Sequence, residues 1–512
     1  MPKLKEYSWE IVDRFIKKLY FQKVTNSSLC KYRYKFISKY SEYLIRKLKL
    51  DSLLNINLGE NIKYKIASYN VHLDLLLVAQ AILPAPKILR NHLLKKCFSK
   101  LIPRNDYEIN INWDRIEKEE PKQIDKVSNV YFATMNNYLN SLIPSILDNE
   151  SSLLILPYEA KSWINYKEVL NKKIPHIFLE DILTINKKNI DKLKTKIINI
   201  YESNKDEILL YNGVDLSPVE KLLRKFLFNF MPLHIYLVRE LEKFLRKIAS
   251  GDTHFYVARD RRALENAFIQ IGNNISGKTH MLIHGMISKN TCYYLWSVGR
   301  FEHVKYVHVW GKHDKDAITQ RQKFLNEQCP NILVDKTTIP FRKVNLADDR
   351  KYVLFAAQPF TNAYIKYFSE EYPRLRVDYP MIIRLHPEDK DKIIYYKRYS
   401  NKNVLIDDLK RPIYSLLKNT TLVITFTSTV ALEAMYNGIP TLFLNFKKLK
   451  TIPHIYMELP NDLLTPIEIN TIFLDENNWK WVIKRTLEDC EYKHKIITIN
   501  KKILSYFVEQ EY

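Results

Sequence analysis

Glycine is the residue this chain has least use for, with 9 in 512 positions. That scarcity leaves no room for glycine-rich phosphate cradles, and neither a P-loop nor a GxGxxG dinucleotide fingerprint is present. Cysteine is also thin and scattered: Cys30, Cys97, Cys292, Cys329 and Cys490. No CxxC pair or Cys/His spacing suggests zinc, and an odd count excludes a complete disulfide framework, so a reducing cytoplasm is the expected home. Long apolar runs are missing too. The longest, Val71 to Pro84, contains Asp74 and Gln80 and is too short to span a bilayer. The opening residues lack the apolar core of a signal peptide.

Basic residues dominate what is there. Lys and Arg number 80 against 57 Asp and Glu, a formal charge of +23. Such a surface favours nucleotides, acidic glycans, anionic lipid or nucleic acid. Lysine enrichment from base composition explains it equally well, and no nucleic-acid-binding module accompanies the charge. Apolar residues at 46% are ordinary for a packed protein, and the length suits two or three domains.

Residues 1 to 120 read as a helical region closed by the charged linker Glu117 to Asp125. Short apolar strands then alternate with helices, the pattern of a parallel sheet covered on both faces. In residues 121 to 325 strands are expected within Val127 to Thr134 and at Leu153 to Leu156, His176 to Leu179, His254 to Ala258, His280 to Ile283 and Tyr306 to Trp310. A basic helical region, Val219 to Ile248, is interrupted at Pro232. In residues 326 to 512 strands are expected at Tyr352 to Ala356, Met381 to Leu385, Val404 to Ile406, Leu422 to Thr425 and Thr441 to Leu444. Helices follow from Trp479. The fold class is therefore α/β, with two Rossmann-like domains behind an N-terminal helical extension, and ligands at the carboxyl ends of the strands.

Two segments carry chemistry. Met381-Ile-Ile-Arg-Leu-His-Pro387 is a strand running into His386, with proline stopping it and Arg384 on the same strand face as His386. Leu422-Val-Ile-Thr-Phe-Thr-Ser-Thr-Val-Ala-Leu-Glu433 is a strand, a hydroxyl-rich turn and a helix. Thr427, Ser428 and Thr429 fall at the helix start, where free N–H groups and the dipole favour an anion, and where Ser and Thr also act as plain N-caps. Glu433 is placed to reach a ribose hydroxyl or to balance the dipole. Asn437-Gly438-Ile-Pro440 ends that helix.

This succession resembles the C-terminal domain of GT-B glycosyltransferases, and among them bacterial sialyltransferases and Kdo transferases. The resemblance covers about residues 350 to 450 well and the earlier α/β unit loosely. It implies that His386-Pro387 and Thr427, Ser428 and Thr429 hold the phosphate of a CMP-sugar, and Glu433 its ribose. Gln358, in Val353-Leu-Phe-Ala-Ala-Gln-Pro359, is similar to the donor loop. Met281-Leu-Ile-His284-Gly285 is similar to a His-Gly of polymer-forming relatives, with Gly285 admitting a ligand close to the backbone. Tyr306-Val-His-Val-Trp-Gly311 is similar to the strand before the domain crossover. Relatives take their base from an acidic pair followed by glycine. The match is Glu180-Asp181 without the glycine, and Asp260, Glu159 and His284 are rivals. Asn136-Asn137, after the first strand, is a further contact candidate.

The implied reaction is metal-independent transfer of sialic acid or Kdo to a lipooligosaccharide or capsule hydroxyl. His386 and helix dipoles take the place of Mg²⁺, and no cofactor is expected. Partners are a nucleotide sugar, a glycan or glycolipid acceptor and, through the basic aromatic stretches Lys221 to Phe230 and Phe244 to Lys247, an anionic membrane at its inner face. Nucleic acid is not expected. CDP-glycerol glycerophosphotransferases share the His-Pro and serine motifs. UDP-GlcNAc 2-epimerases also have two Rossmann domains, but with a glycine pair after the serine. A non-catalytic basic scaffold is the third alternative.

Overall fold

The structure is a computed structural model that describes residues 27–59, 124–184, 187–259, 262–283, 287, 301, 303–335, 339, 341–358, 362–386, 393–426, 428–446, 459–460 and 462–508. Contacts divide the chain into two units. The first runs to Val309, Gly285–Ile287 excepted, and takes in Ala317–Leu333; the second gathers Gly285–Ile287, Trp310–Asp316 and the chain from Val334 onward. The chain thus passes between units three times around residues 310 to 334, where a single step at 325/326 was expected.

In the first unit β1 (Asn129–Phe132), β2 (Ser152–Leu156) and β3 (His176–Phe178) are followed by a small hairpin, β4 (Leu210–Tyr211) and β5 (Val214–Asp215). Then come β6 (His254–Val257), β7 (Thr279–Leu282), β8 (Tyr306–Val309) and β9 (Asn331–Val334). Among the described residues the main sheet has seven strands in the order β3-β2-β1-β6-β7-β8-β9. Every pair from β3 to β8 is parallel. Parallel pairing needs both faces covered, which is why β1 and β2 are buried at every position. The hairpin turns at Asn212 and Gly213, both in the left-handed region (φ 48° and 74°), as a tight two-residue turn requires.

The N-terminal helix α1 (Ser27–Lys47) belongs to this unit rather than forming a layer of its own. Phe36, Ile37, Tyr40 and Leu44 share one apolar core with Ile197, Tyr201, Phe226, Phe230 and Ile235. Pro232 does not break the helical region. A widened helical turn at Phe226–Phe230 leads without a break into α2 (Met231–Ile248), and that widening accommodates Pro232, which has no N–H to give to the preceding turn. Leu223, Phe226, Leu227, Phe230 and Phe244 are buried, so most of the aromatic side of these helices faces the core, while Lys221, Asn229, Lys243, Arg246 and Lys247 are exposed. No described helix is long and apolar enough to cross a membrane.

The second unit holds β10 (Tyr352–Ala356), β11 (Met381–Arg384), β12 (Val404–Ile406), β13 (Thr420–Thr425), β14 (Thr441–Leu444) and β15 (Phe473–Leu474), all parallel, in the order β12-β11-β10-β13-β14-β15. Counting only the strands of each sheet, the second unit runs 3-2-1-4-5-6, the doubly wound order, and the first runs the same way with a seventh strand added at its edge. The expected fold class is the one observed. The order reverses between β1 and β6 in the first unit and between β10 and β13 in the second, and those two points are where an open α/β sheet offers its carboxyl edge to a ligand.

Candidate active site

Register brings three of the expected donor residues to one level. Ala356 of β10 pairs with Arg384 of β11 and with Thr425 of β13. Gln358 and His386 therefore lie two residues beyond the same rung, and Ser428 lies three beyond it, on three adjacent strands spanning the reversal point. Thr425 Oγ1 donates to the Ala356 carbonyl at 2.8 Å and ties β13 to β10 at that edge. Gln358, His386, Ser428 and Thr429 are all half-buried, as residues lining an open edge are.

Ser428 is the N-cap of α3 (Thr429–Tyr436): its φ/ψ is extended, and its hydroxyl accepts from Val430 N at 3.3 Å. Ala431 N donates back to the Ser428 carbonyl at 2.9 Å, and the N-terminal end of the helix, with its dipole, is a ready anion site. Arg384 has another engagement. Its guanidinium pairs with Asp407, which is fully buried and also accepts from Leu409 N at 3.2 Å and Arg411 at 3.5 Å. Arg384 thus fastens β11 to the loop after β12. Asp407 drew no attention in the sequence, because its partner lies 23 residues away on another strand.

Glu433 lies on the second turn of α3 with its carboxyl enclosed, although the residue keeps some exposed surface. Tyr414 is hydrogen-bonded to it and Arg342 is close by. Burial pushes its pKa up to about 8, against a smaller lowering by Tyr414 and Arg342, so the group carries its proton at neutral pH. A carboxyl whose folded pKa is raised contributes stability below its unfolded value near 4.5 that is lost as pH climbs through 8. Glu433→Gln, which keeps a partner for Tyr414, is expected to match wild type at pH 5 and to exceed it by about 1–2 kcal/mol at pH 9 in denaturant melts. Parallel pH profiles for the two proteins would contradict this.

In the first unit, Glu180, Asp181 and Glu159 follow strands other than the two at the reversal point. Glu180 and Asp181 sit in a short turn after β3, the edge strand. Both are buried, and Glu180 accepts from Tyr158 N at 2.8 Å, which commits one oxygen to the backbone. Glu159 is half-buried in the turn after β2. Asn136, after β1, accepts from Asn165 N at 2.9 Å. The reversal point itself is lined by a cluster that sequence reading missed. Thr134, directly beyond β1, donates to the fully buried Glu265, and Arg262 reaches Thr134 Oγ1 at 3.3 Å. Glu265 lies in the first turn of α4 (Ala263–Ile275), where the dipole favours a carboxylate. His284, Gly285, Asp260, Pro387 and Thr427 lie outside the described residues, as do residues 60–123.

No protein-family model matches the chain, and no curated protein matches it. Among solved structures it is similar to UDP-GlcNAc 2-epimerase from Neisseria meningitidis bound to UDP-GlcNAc, at 13% identity over 74% of this chain and 98% of that one, with a TM-score of 0.41. It is similar to the apo form of lipopolysaccharide outer core galactosyltransferase WaaB at 13% identity over 74% and 95%, with a TM-score of 0.39. MurG from Acinetobacter baumannii aligns at 10% identity over 74% and 95%, with a TM-score of 0.35. Likeness at this level assigns neither a family nor an activity.

Proposed function

We propose that the chain is a GT-B-type glycosyltransferase that moves a sugar from a nucleotide donor to a hydroxyl of a cell-surface glycan. The observation that carries the reading is the convergence of Gln358, His386 and the Ser428 N-cap at the reversal point of the second sheet. Together they offer an imidazole, a free helix N-terminus and an amide to one phosphate. In the proposed reaction the acceptor oxygen bonds to the anomeric carbon as the bond from that carbon to the donor phosphate oxygen breaks. The electron pair leaves with the nucleotide, where His386 and the α3 N–H groups receive the charge. The acceptor proton passes to a base, for which Glu180, Asp181, Asp260, Glu159 and His284 are the candidates from sequence. The preferred donor is CMP-sialic acid or CMP-Kdo, on the His-Pro and Ser-Thr motifs, with no metal required.

Thermal melts with CMP, CDP, UMP, UDP and GDP, with and without Mg²⁺, test this directly. A CMP-specific, metal-independent shift is expected, with at least a tenfold loss of affinity in His386→Ala. A shift with UDP instead would move the donor to a UDP-sugar. No shift with any nucleotide, or wild-type affinity in a well-folded His386→Ala protein, would overturn the phosphate site.

A further inference from the structure

After α1 the chain makes a short turn at Asp51–Leu53 and lays residues 52 to 55 along the outer side of α2. Leu53 and Leu54 pack half-buried against the core shared with α1. Facing them, Arg239, Lys243 and Arg246 recur at i, i+4 and i+7, one stripe of α2. Between the two walls lies a cavity of about 240 Å³ lined by Ser52, Leu53, Leu54, Asn55, Arg239, Glu242, Lys243 and Arg246.

The cavity wall carries an excess of positive charge with donors to spare. Its one carboxylate, Glu242, is buried and already neutralised: it accepts from Arg246 at 3.0 and 2.8 Å and from Asn55 at 3.0 Å. Lys243 bonds Glu240 at 2.7 Å, and Arg239 donates through one nitrogen to the Leu53 carbonyl at 3.3 Å. Arg239 therefore keeps the better part of its planar donor fork, and Lys243 two of its three protons. A guanidinium fork beside an ammonium matches a carboxylate or phosphate oxyanion. The rest of the lining suits a sugar ring: Ser52 for ring hydroxyls, and the Leu53 and Leu54 side chains for an apolar ring face. The volume accommodates one monosaccharide.

We propose that this pocket binds an acidic sugar unit, a pyranose ring bearing a carboxylate or a phosphate. It does not belong to the candidate active site. The C-terminal end of α2, which carries Arg246, leads within six residues into the start of β6, so the pocket sits toward the amino edge of the first sheet, away from the carboxyl edge. Resting on the glycosyltransferase reading, its role is to hold an acidic unit of the acceptor chain at a distance from the reacting hydroxyl.

Saturation-transfer NMR on the full chain without any nucleotide tests the pocket separately from the donor site. The probes are glucuronic acid, glucose 6-phosphate and glucose. Transfer is expected to one or both charged sugars and not to glucose. It should weaken at least tenfold in Arg239→Gln/Lys243→Gln, and in Lys243→Gln alone to a lesser degree, with melting temperatures held. Lys247→Gln, on the same helix but outside the lining, should bind as wild type. The result tells whether the oxyanion is a carboxylate or a phosphate. Equal transfer to glucose, no transfer to either charged sugar, or undiminished binding in the folded double variant would overturn the proposal. Because no donor is present, failure of the nucleotide melts leaves this outcome readable.

Discussion

Gly311→Ala is expected to destabilise the second unit by about 3 kcal/mol, the upper range for forcing one extra carbon into a packed interior. A Cβ at this position would lie 2.6 Å from the Phe507 carbonyl oxygen, 2.8 Å from its carbon and 3.0 Å from Val508 N. All three are backbone atoms, so no side chain can rotate out of the way. The φ of Gly311 is outside the left-handed region, which leaves close approach alone as the reason for glycine. The element that approaches is α5 (Cys490–Phe507), the C-terminal helix. Around the contact His313 is fully buried with its ring 4.3 Å from that of Phe507, and Asp314 accepts from Ile287 N at 2.9 Å.

The consequence reaches the candidate active site, because α5 packs along α3. Asn500 Nδ2 donates to the Thr441 carbonyl at 3.0 Å while its Oδ1 accepts from Thr441 N at 2.7 Å, locking α5 to β14. A helix lifted at Phe507 therefore loses its hold on the element that presents Ser428. In hydrogen exchange the alanine variant should lose protection over 490–507 and over 429–436, and its melting temperature should fall by roughly 5–10 °C. A melting temperature within about 1 °C of wild type, with exchange unchanged in both helices, would show that the contact relaxes freely.

Much of this was legible. The apolar runs of β1, β2, β10, β11, β13 and β14 are buried on both faces, and a doubly buried strand reads as an unbroken hydrophobic stretch. The strand-to-helix step at Ser428 was readable because the N-cap is a local event, decided within three residues. Other elements carried weaker marks. β9 is mostly exposed and β15 is two residues long, so neither has enough apolar pattern to announce itself. The β4–β5 hairpin did have a signal, the Asn212-Gly213 pair between Tyr211 and Val214, and it was overlooked. What sequence could not give was lateral register. Arg384 with Asp407, Glu433 with Tyr414, and Thr134 with Glu265 are each assembled by neighbouring elements, and nothing local distinguishes these residues from solvated ones.

The same blindness to register hid a row of histidines whose protonation is expected to dominate the acid limb of stability. Tyr131, Tyr256, His280 and Tyr306 occupy one rung across β1, β6, β7 and β8, with rings stacked at 4.5, 4.5 and 4.8 Å. Diagonally through that rung, His254 Nδ1 meets His280 Nε2 at 2.8 Å, and His280 Nδ1 meets His308 Nε2 at 3.0 Å. Three neutral imidazoles satisfy both bonds when all the N–H groups point the same way along the row. One proton added at either end preserves the pattern, since the charged ring donates inward. Protons at both ends would aim two donors at His280, which has one lone pair to offer, so the row takes up a single proton before a bond breaks.

Burial, then repulsion from His308 and His254, lowers the His280 pKa from 6.5 to about 3. That of His254 is also lowered, by burial and by Lys278, against an opposing pull from Asp252. A histidine whose folded pKa is depressed binds its proton more readily in the unfolded chain. Its contribution is therefore complete above pH 6.5 and is lost as pH falls from 6.5 toward 3. The gap between 6.5 and about 3 corresponds to roughly 5 kcal/mol at the acid end, of which more than half should be gone by pH 4.5. His280→Phe keeps the ring stack and removes the titration, while the half-buried His254 and His308 can turn to water. Denaturant midpoints measured between pH 7.5 and 4.5 should fall steeply for wild type and much less for His280→Phe. If the two profiles fall in parallel, the acid sensitivity resides in other groups and the row is no more than packing.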